Sequence, residues 1–251
     1  MAGRPQPSGW QTLQRVAVTL AGFLVALLMI DITTSIAETE SSQSADRRRM
    51  VKLIESRGVA NPRVLEVMRK VPRHQFVPEA IRERAYGDHA LPIGNRQTIS
   101  QPYIVAAMTE LLDPAVGDTV LEIGTGSGYQ AAVLSELVHK VYSIEIVAEL
   151  AKDARKKLTE LGYDNVVVIT GDGYRGLPEQ APFDGIIVTA APEKIPQPLI
   201  DQLAVGGHLV IPVGAMFQEL VVLERTSEGV QTRRVFPVQF VPMTGEVRDT
   251  N

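Results

Sequence analysis

Three glycines at alternate positions, Gly124, Gly126 and Gly128, follow the apolar run Thr119–Ile123 and lead into the alanine- and leucine-rich stretch 131–138. A strand that turns on glycines into a helix lets backbone lie against a ligand, because no Cβ stands between them. It also brings the free N–H groups of the helix start to the same place. Glu145 closes the next apolar run, Val141–Ile144, and stands 21 residues after Gly124. This is the layout with which a strand–helix–strand unit holds a nucleoside, its carboxylate accepting from the ribose hydroxyls. The spacing also excludes. A dinucleotide fingerprint needs its third glycine at position 129, and this chain has Tyr129 there. The loop carries no lysine, which tells against a nucleoside triphosphatase.

A second cluster of polar residues, Gln97-Thr98-Ile99-Ser100-Gln101-Pro102-Tyr103, lies just upstream and leads into the helical pattern VAAMTELL. Serine before a helix is usually its cap. Here Pro102 disfavours helical backbone at Gln101, which makes Gln101 the cap and Pro102 the first helical residue. Ser100 then sits one position outside, with its hydroxyl available for other work. It has no visible histidine partner for nucleophilic catalysis, since His74, His89, His139 and His208 are scattered. The same scatter gives no metal-ligand spacing, and no metal site is expected. The chain has no cysteine, so disulfides, thiolate catalysis and cysteine-ligated metals are excluded.

The pattern G-x-G-x-G preceded by Glu122 is similar to motif I of S-adenosylmethionine-dependent methyltransferases. With GDGYRGLP (171–178), APFDGIIVTAAP (181–192) and GGHLVIPVG (206–214), the QTISQPY segment resembles the protein-L-isoaspartate O-methyltransferase family, over about Val51 to Gly245. The resemblance implies S-adenosyl-L-methionine as cofactor and methyl transfer to the free α-carboxyl of L-isoaspartyl residues in damaged proteins and peptides. The ester would collapse to a succinimide that can reopen as normal aspartate, a repair role. The alternative is a related methyltransferase with a different acceptor. The resemblance also implies Ser100 as the active-site residue. It places Thr98, Ile99, Glu122, Gly124, Gly126, Ser127, Gly128, Glu145, Asp172, Gly173 and Thr244 at the cofactor, with Asp172-Gly173 beside the adenine. One departure stands out: the tail reads PVQFVPMTG, with Gln239 where arginine is expected in bacterial relatives.

Esterifying a carboxylate needs little acid–base chemistry, because a side-chain-like carboxyl with a pKa of about 4 is ionised at neutral pH. What remains is alignment, a proximity effect that can supply roughly 7–11 kcal/mol. Ser100 is therefore expected to orient the acceptor by a hydrogen bond. Enzymes that methylate base amino groups carry an [N/D/S]-P-P-[Y/F/W] tetrapeptide after the fourth strand, whose aromatic stacks on the base. This chain has Thr189-Ala190-Ala191-Pro192 there, so nucleic acid is not an expected partner.

The elements that must position these groups follow from the pattern. Strands are expected at 119–123, 140–145, 166–170, 183–189 and 208–213, and helices at 128–138, 147–161 and 196–204, the second closed by Gly162 in the left-handed conformation. Short apolar strands separated by helices mean an α/β, Rossmann-like, mostly parallel doubly wound sheet covered on both faces. The tail, 220–226 and 230–236 about Ser227-Glu228-Gly229, reads as an antiparallel hairpin. Upstream, helices are expected at 46–56, from Asn61-Pro62 to before Pro72, and at 78–86. The turn-rich region 73–94 is expected to pack over the cofactor site, with His74 as a hydrogen-bonded structural histidine.

Hydrophobic residues make up 45% and charged residues 22% of 251, ordinary for a globular chain, and the net charge of −4 is spread in both signs. Arg47–Arg49 is the only basic cluster. Residues 1–45 read as a hydrophobic segment and linker, and 46–251 as the methyltransferase domain, a monomer. The uncharged run 16–30 is shorter than the roughly 20 residues of a membrane span, and Ser35-Ile36-Ala37 offers the small residues of a signal-peptidase site. Export or anchoring through this run is one reading, with membrane contact at residues 16–30. Cofactor supply and the Arg47–Arg49 cluster favour the cytoplasmic side.

Overall fold

Short β-branched runs alternate with helices from Thr119 onward, and in the computed structural model, which describes residues 42–245, they build a seven-stranded sheet. Ahead of the sheet come helix α1 (42–56) and helix α2 (Pro62–Lys70). Asn61 caps α2 as its type and the following proline imply, its Oδ1 accepting from the Arg63 N–H at 3.0 Å. Two short antiparallel strands follow, β1 (Leu91–Gly94) and β2 (Gln97–Ile99), then helix α3 (Pro102–Leu112). The sheet proper uses β3 (Thr119–Ile123), β4 (Lys140–Glu145), β5 (Val166–Thr170), β6 (Phe183–Val188) and β7 (Leu203–Val213) in parallel. It is completed by β8 (Gln218–Thr226) and β9 (Gly229–Val238), which run antiparallel. Helices α4 (Tyr129–Ser135), α5 (Ala148–Glu160) and α6 (Gln197–Asp201) make the crossovers that parallel neighbours require. The strand order is β5-β4-β3-β6-β7-β8-β9.

The sheet separates two apolar cores by strand alternation. Val120, Val141, Ile187 and Val210 face one core, shared with residues of α1 to α5. Their neighbours Leu121, Ile186, Val188, Leu209 and Ile211 face the other, with Leu199 of α6 and Met243. Period two in the strands thus delivers apolar side chains to both faces, as a doubly covered sheet demands. Each such side chain, once fully buried, contributes about 1.5–3 kcal/mol.

Several boundaries differ from expectation, each for a local reason. Helix α4 ends at Ser135, because the chain tightens there, the Leu137 N–H donating to the Leu134 carbonyl at 2.8 Å. Helix α6 ends at Asp201, because Leu203 already pairs with Phe183; the register then shifts, and His208 pairs with Gly185. Residues 78–86 form a 3-10 turn over Glu79–Arg84. The β1–β2 hairpin was not expected. It turns on Asn95 and Arg96 at φ 49° and 58°, and Gly94-Asn95 was its only sequence signal. The apolar run 16–30 and Ser35–Ala37 lie outside the described residues. Among the described residues no helix is long and apolar enough to cross a membrane.

Candidate active site

The chain runs outward from β3 through β4 to β5, then returns to β6 on the other side of β3. At such a reversal the carboxyl ends of neighbouring strands send their chains apart and leave a crevice. A cleft of about 560 Å³ lies there, lined among others by Gly124, Gly126, Glu145, Gly173, Thr189 and Thr244. Gly124, at φ +96°, follows β3, and a Cβ on it would collide with Thr189 Oγ1. That oxygen instead donates to the Gly124 carbonyl at 2.7 Å and ties the end of β6 to the loop. Gly126, at φ +51°, presents its N–H to Glu145 Oε2 at 2.8 Å, while the Val147 N–H donates to Oε1 at 3.0 Å. The carboxylate is therefore aimed by backbone on two sides. With about four lone-pair positions, it keeps two for a diol. These residues fit the ribose and amino-acid ends of a nucleoside sulfonium. No phosphate-binding lysine is needed.

Three expected cofactor residues sit elsewhere. Glu122 is fully buried behind the loop, where Ser143 Oγ donates to its Oε2 and in turn meets Thr125 Oγ1 at 2.6 Å. Burial pushes its pKa up to about 8, against the Ser143 hydrogen bond, so it is a protonated prop beneath the loop. Gly128 faces Leu158 and Ala154, and its missing Cβ lets α4 pack closely on α5. Asp172 caps the following turn, Oδ1 accepting from the Tyr174 N–H at 2.9 Å, and of the pair only Gly173 lines the cleft. Glu122 points away because β3 alternates. Asp172 is held by its own turn through Oδ1. Ser127 and Ile99 line a smaller cavity of about 280 Å³ beside the loop.

Thr98, Ser100 and Thr189 continue the site into a second groove of about 1060 Å³. Its far wall is the chain from Phe236 to Val241, including Gln239, and Tyr103 and Arg57 stand on the near side. Thr98, Thr189 and Val241 line both the cleft and the groove, so the two adjoin there. Ser100 lies in the groove, and among the described residues no group hydrogen-bonds its hydroxyl. Pro102 opens α3 and Gln101 is its cap position, as expected, but Gln101 does not cap with its own side chain. Asp88 does so from 15 residues away, Oδ1 accepting from the Tyr103 N–H at 3.1 Å. Oδ2 takes the Gln101 amide at 2.8 Å. His74 is structural, with Nδ1 at 2.7 Å from the Tyr86 hydroxyl, and burial lowers its pKa to about 4.

Sequence reasoning missed Thr189 as a site residue, having read its segment only for a missing aromatic. Its place at the carboxyl end of β6, beside the reversal, was the available signal. Ile144 and Ile146 also line the cleft and were missed, although they flank Glu145 directly.

Comparison with known proteins meets this geometry. The family model described as protein-L-isoaspartate (D-aspartate) O-methyltransferase matches residues 45–248. The chain is 50% identical over 240 residues to protein-L-isoaspartate O-methyltransferase 2 of Syntrophobacter fumaroxidans, covering 90% of this chain and 97% of that one. It is 59% identical over 192 residues to the Gloeobacter violaceus protein-L-isoaspartate O-methyltransferase, covering 76% and 94%. A solved protein-L-isoaspartate O-methyltransferase superposes with a TM-score of 0.72 at 27% identity, covering 79% of this chain and 66% of the other. The structure of a protein so described from Plasmodium falciparum, in complex with S-adenosyl-L-homocysteine, superposes with a TM-score of 0.70 at 25% identity, covering 79% and 98%. The chain belongs to the protein-L-isoaspartate (D-aspartate) O-methyltransferase family.

Proposed function

We propose that the chain is an S-adenosyl-L-methionine-dependent carboxyl methyltransferase that esterifies the free α-carboxyl of L-isoaspartyl residues, opening their repair through succinimide. The family match supports the activity. The observation that carries the division of labour is the Ser100 hydroxyl, unpartnered among the described residues and set in the groove that adjoins the cleft through Thr98 and Thr189. In this reading Gly124, Gly126 and Thr244 hold the amino-acid side of the cofactor, Glu145 takes the ribose hydroxyls, and Gly173 flanks the adenine. Bound there, S-adenosyl-L-methionine supplies an electrophilic methyl group on a sulfonium, so an ionised carboxylate can be esterified without proton transfer.

The protein's part is then to align and to exclude water. Ser100 donates its O–H to one oxygen of the acceptor carboxylate and leaves the other oxygen free to react. Thr98 and Thr189 form the shared wall, and Phe236, Phe240 and Tyr103 give the groove an apolar lining for a peptide backbone. Gln239 replaces the arginine expected at its position, so the groove's charge on that wall is lower and pairing there with a substrate carboxylate is not part of the reading. We place the enzyme on the cytoplasmic side, as a monomer whose catalytic domain is residues 46–251. Cofactor supply and the basic Arg47–Arg49 cluster support that placement. Labelled methyl transfer to an isoaspartyl peptide beside its aspartyl twin tests the function. Base-labile label on the isoaspartyl peptide alone is expected, and equal labelling of both peptides would refute the acceptor assignment.

A further inference from the structure

The backbone around Ser100 is gripped from both sides by charged residues that the reaction does not consume. Arg73 follows α2 in a short 3-10 turn and is fully buried. Its Nη2 donates to the Ser100 carbonyl at 2.7 Å and its Nε to the Ala85 carbonyl at 2.8 Å. Its guanidinium carbon lies 4.8 Å from the centroid of the Tyr129 ring. Tyr129 is the first residue of α4, directly after the glycine loop. One planar cation therefore touches Ala85 of the turn-rich segment, the Ser100 carbonyl and the first residue of the helix that follows the glycine loop. On the other side, Asp88 holds the Gln101 amide and the Tyr103 N–H, and pairs with Arg57, whose guanidinium lies 3.7 Å from the Tyr103 ring centroid. Resting on the methyl-transfer reading above, we propose that Arg73 is a positioning residue, which sets the distance between Ser100 and the cofactor loop through its simultaneous contacts with the Ser100 carbonyl and Tyr129.

The chemistry favours arginine for this task. A guanidinium offers several N–H groups in a rigid plane, so it can bond two carbonyls and lie against an aromatic face at once. An ammonium on a flexible stem can reach one carbonyl and leaves the ring contact behind. Burial lowers the Arg73 pKa to about 10, with Tyr129 acting in the opposite direction, so the group stays charged at neutral pH. Burying a charge is costly, and a well-packed apolar residue of like volume is often no less stable. Stability alone therefore gives little reason for arginine here, whereas geometry does. Misplacing a reacting group by about 1 Å can slow a reaction roughly 100-fold.

The test uses Arg73→Met and Arg73→Lys in the full chain, each alone and combined with Ser100→Ala. Wild type must first label the isoaspartyl peptide; if it does not, the proposed function has failed and not this inference. With activity in hand, Arg73→Met is expected to lower kcat by roughly 10- to 100-fold, with Arg73→Lys between it and wild type. Calorimetric affinity for S-adenosyl-L-homocysteine should stay within about twofold of wild type. In the Ser100→Ala background the Arg73 changes should have almost no further effect, because a residue acting only through Ser100 has nothing left to position. Full additivity with Ser100→Ala, wild-type kcat in folded variants, or a fall in cofactor affinity matching the fall in kcat would each overturn the proposal. Where Arg73→Met does not fold, the lysine variant decides by the same cycle. Failure of both to fold would assign Arg73 to folding alone.

Discussion

The cleft and the groove adjoin through Thr98 and Thr189, yet they are built in opposite ways. The polar anchors of the cofactor cleft come from neighbours in sequence, a strand end, a glycine loop and an acidic residue 21 positions on, joined by backbone hydrogen bonds, while Gly173, Thr189 and Thr244 complete its lining from farther along the chain. The acceptor groove is assembled from afar. The Ser100 carbonyl is held by Arg73 and the next residues, Gln101 and Tyr103, by Asp88, and the facing wall comes from Phe236 to Val241, more than 130 positions later. A local site tolerates drift elsewhere in the fold. A site made by long-range contacts inherits every error in packing.

The largest expected effect falls on the local half. Glu145→Ala removes the ribose acceptor and frees the Gly126 and Val147 N–H groups, so cofactor affinity should fall by about 1.5–3 kcal/mol, roughly 10- to 150-fold, measured by calorimetry. A fall in kcat at saturating cofactor, with affinity kept, would blur the line between the halves. Next comes the layer beneath the loop. Unfolded Glu122 ionises near 4.5, whereas in the fold it keeps its proton to about 8. Between those values the unfolded state sheds a proton that the folded state holds, so Glu122 makes stability fall as pH rises from 4.5 towards 8. Glu122→Gln cannot ionise, and should therefore be more stable than wild type at pH 8 in urea unfolding, with the difference closing as pH falls towards 4.5. A smaller effect is expected at the boundary. Thr189→Val loses the hydroxyl that donates to the Gly124 carbonyl, which should cost about 0.5–1.5 kcal/mol in cofactor affinity and slow turnover by a similar factor, since Thr189 lines both cavities.

The same contrast explains what could be read from the chain. Gly124, Gly126 and Glu145 were legible because a parallel strand end announces itself within a few residues. Ser100 was legible partly through Pro102, which moved the cap to Gln101. Asp88 and Arg73 were not, because nothing near them in sequence states that their partners are the Tyr103 N–H and the Ser100 carbonyl. Glu122 and Asp172 also hold the fold in ways their sequence neighbours do not announce: strand alternation turns Glu122 inward onto Ser143, and Asp172 Oδ1 accepts from the Tyr174 N–H. The β1–β2 hairpin escaped because its strands are three and four residues long, too short for any period to show.

The most direct test of the two-part site is Ser100→Ala, followed by titration with S-adenosyl-L-homocysteine and by single-turnover methyl transfer to an isoaspartyl peptide. The predicted result is cofactor affinity within about twofold of wild type and transfer slowed by roughly 10- to 100-fold, the loss of one hydrogen bond to a charged acceptor. Loss of cofactor affinity with an unchanged rate in the bound complex would contradict it, and would make Ser100 part of the cofactor's half of the site.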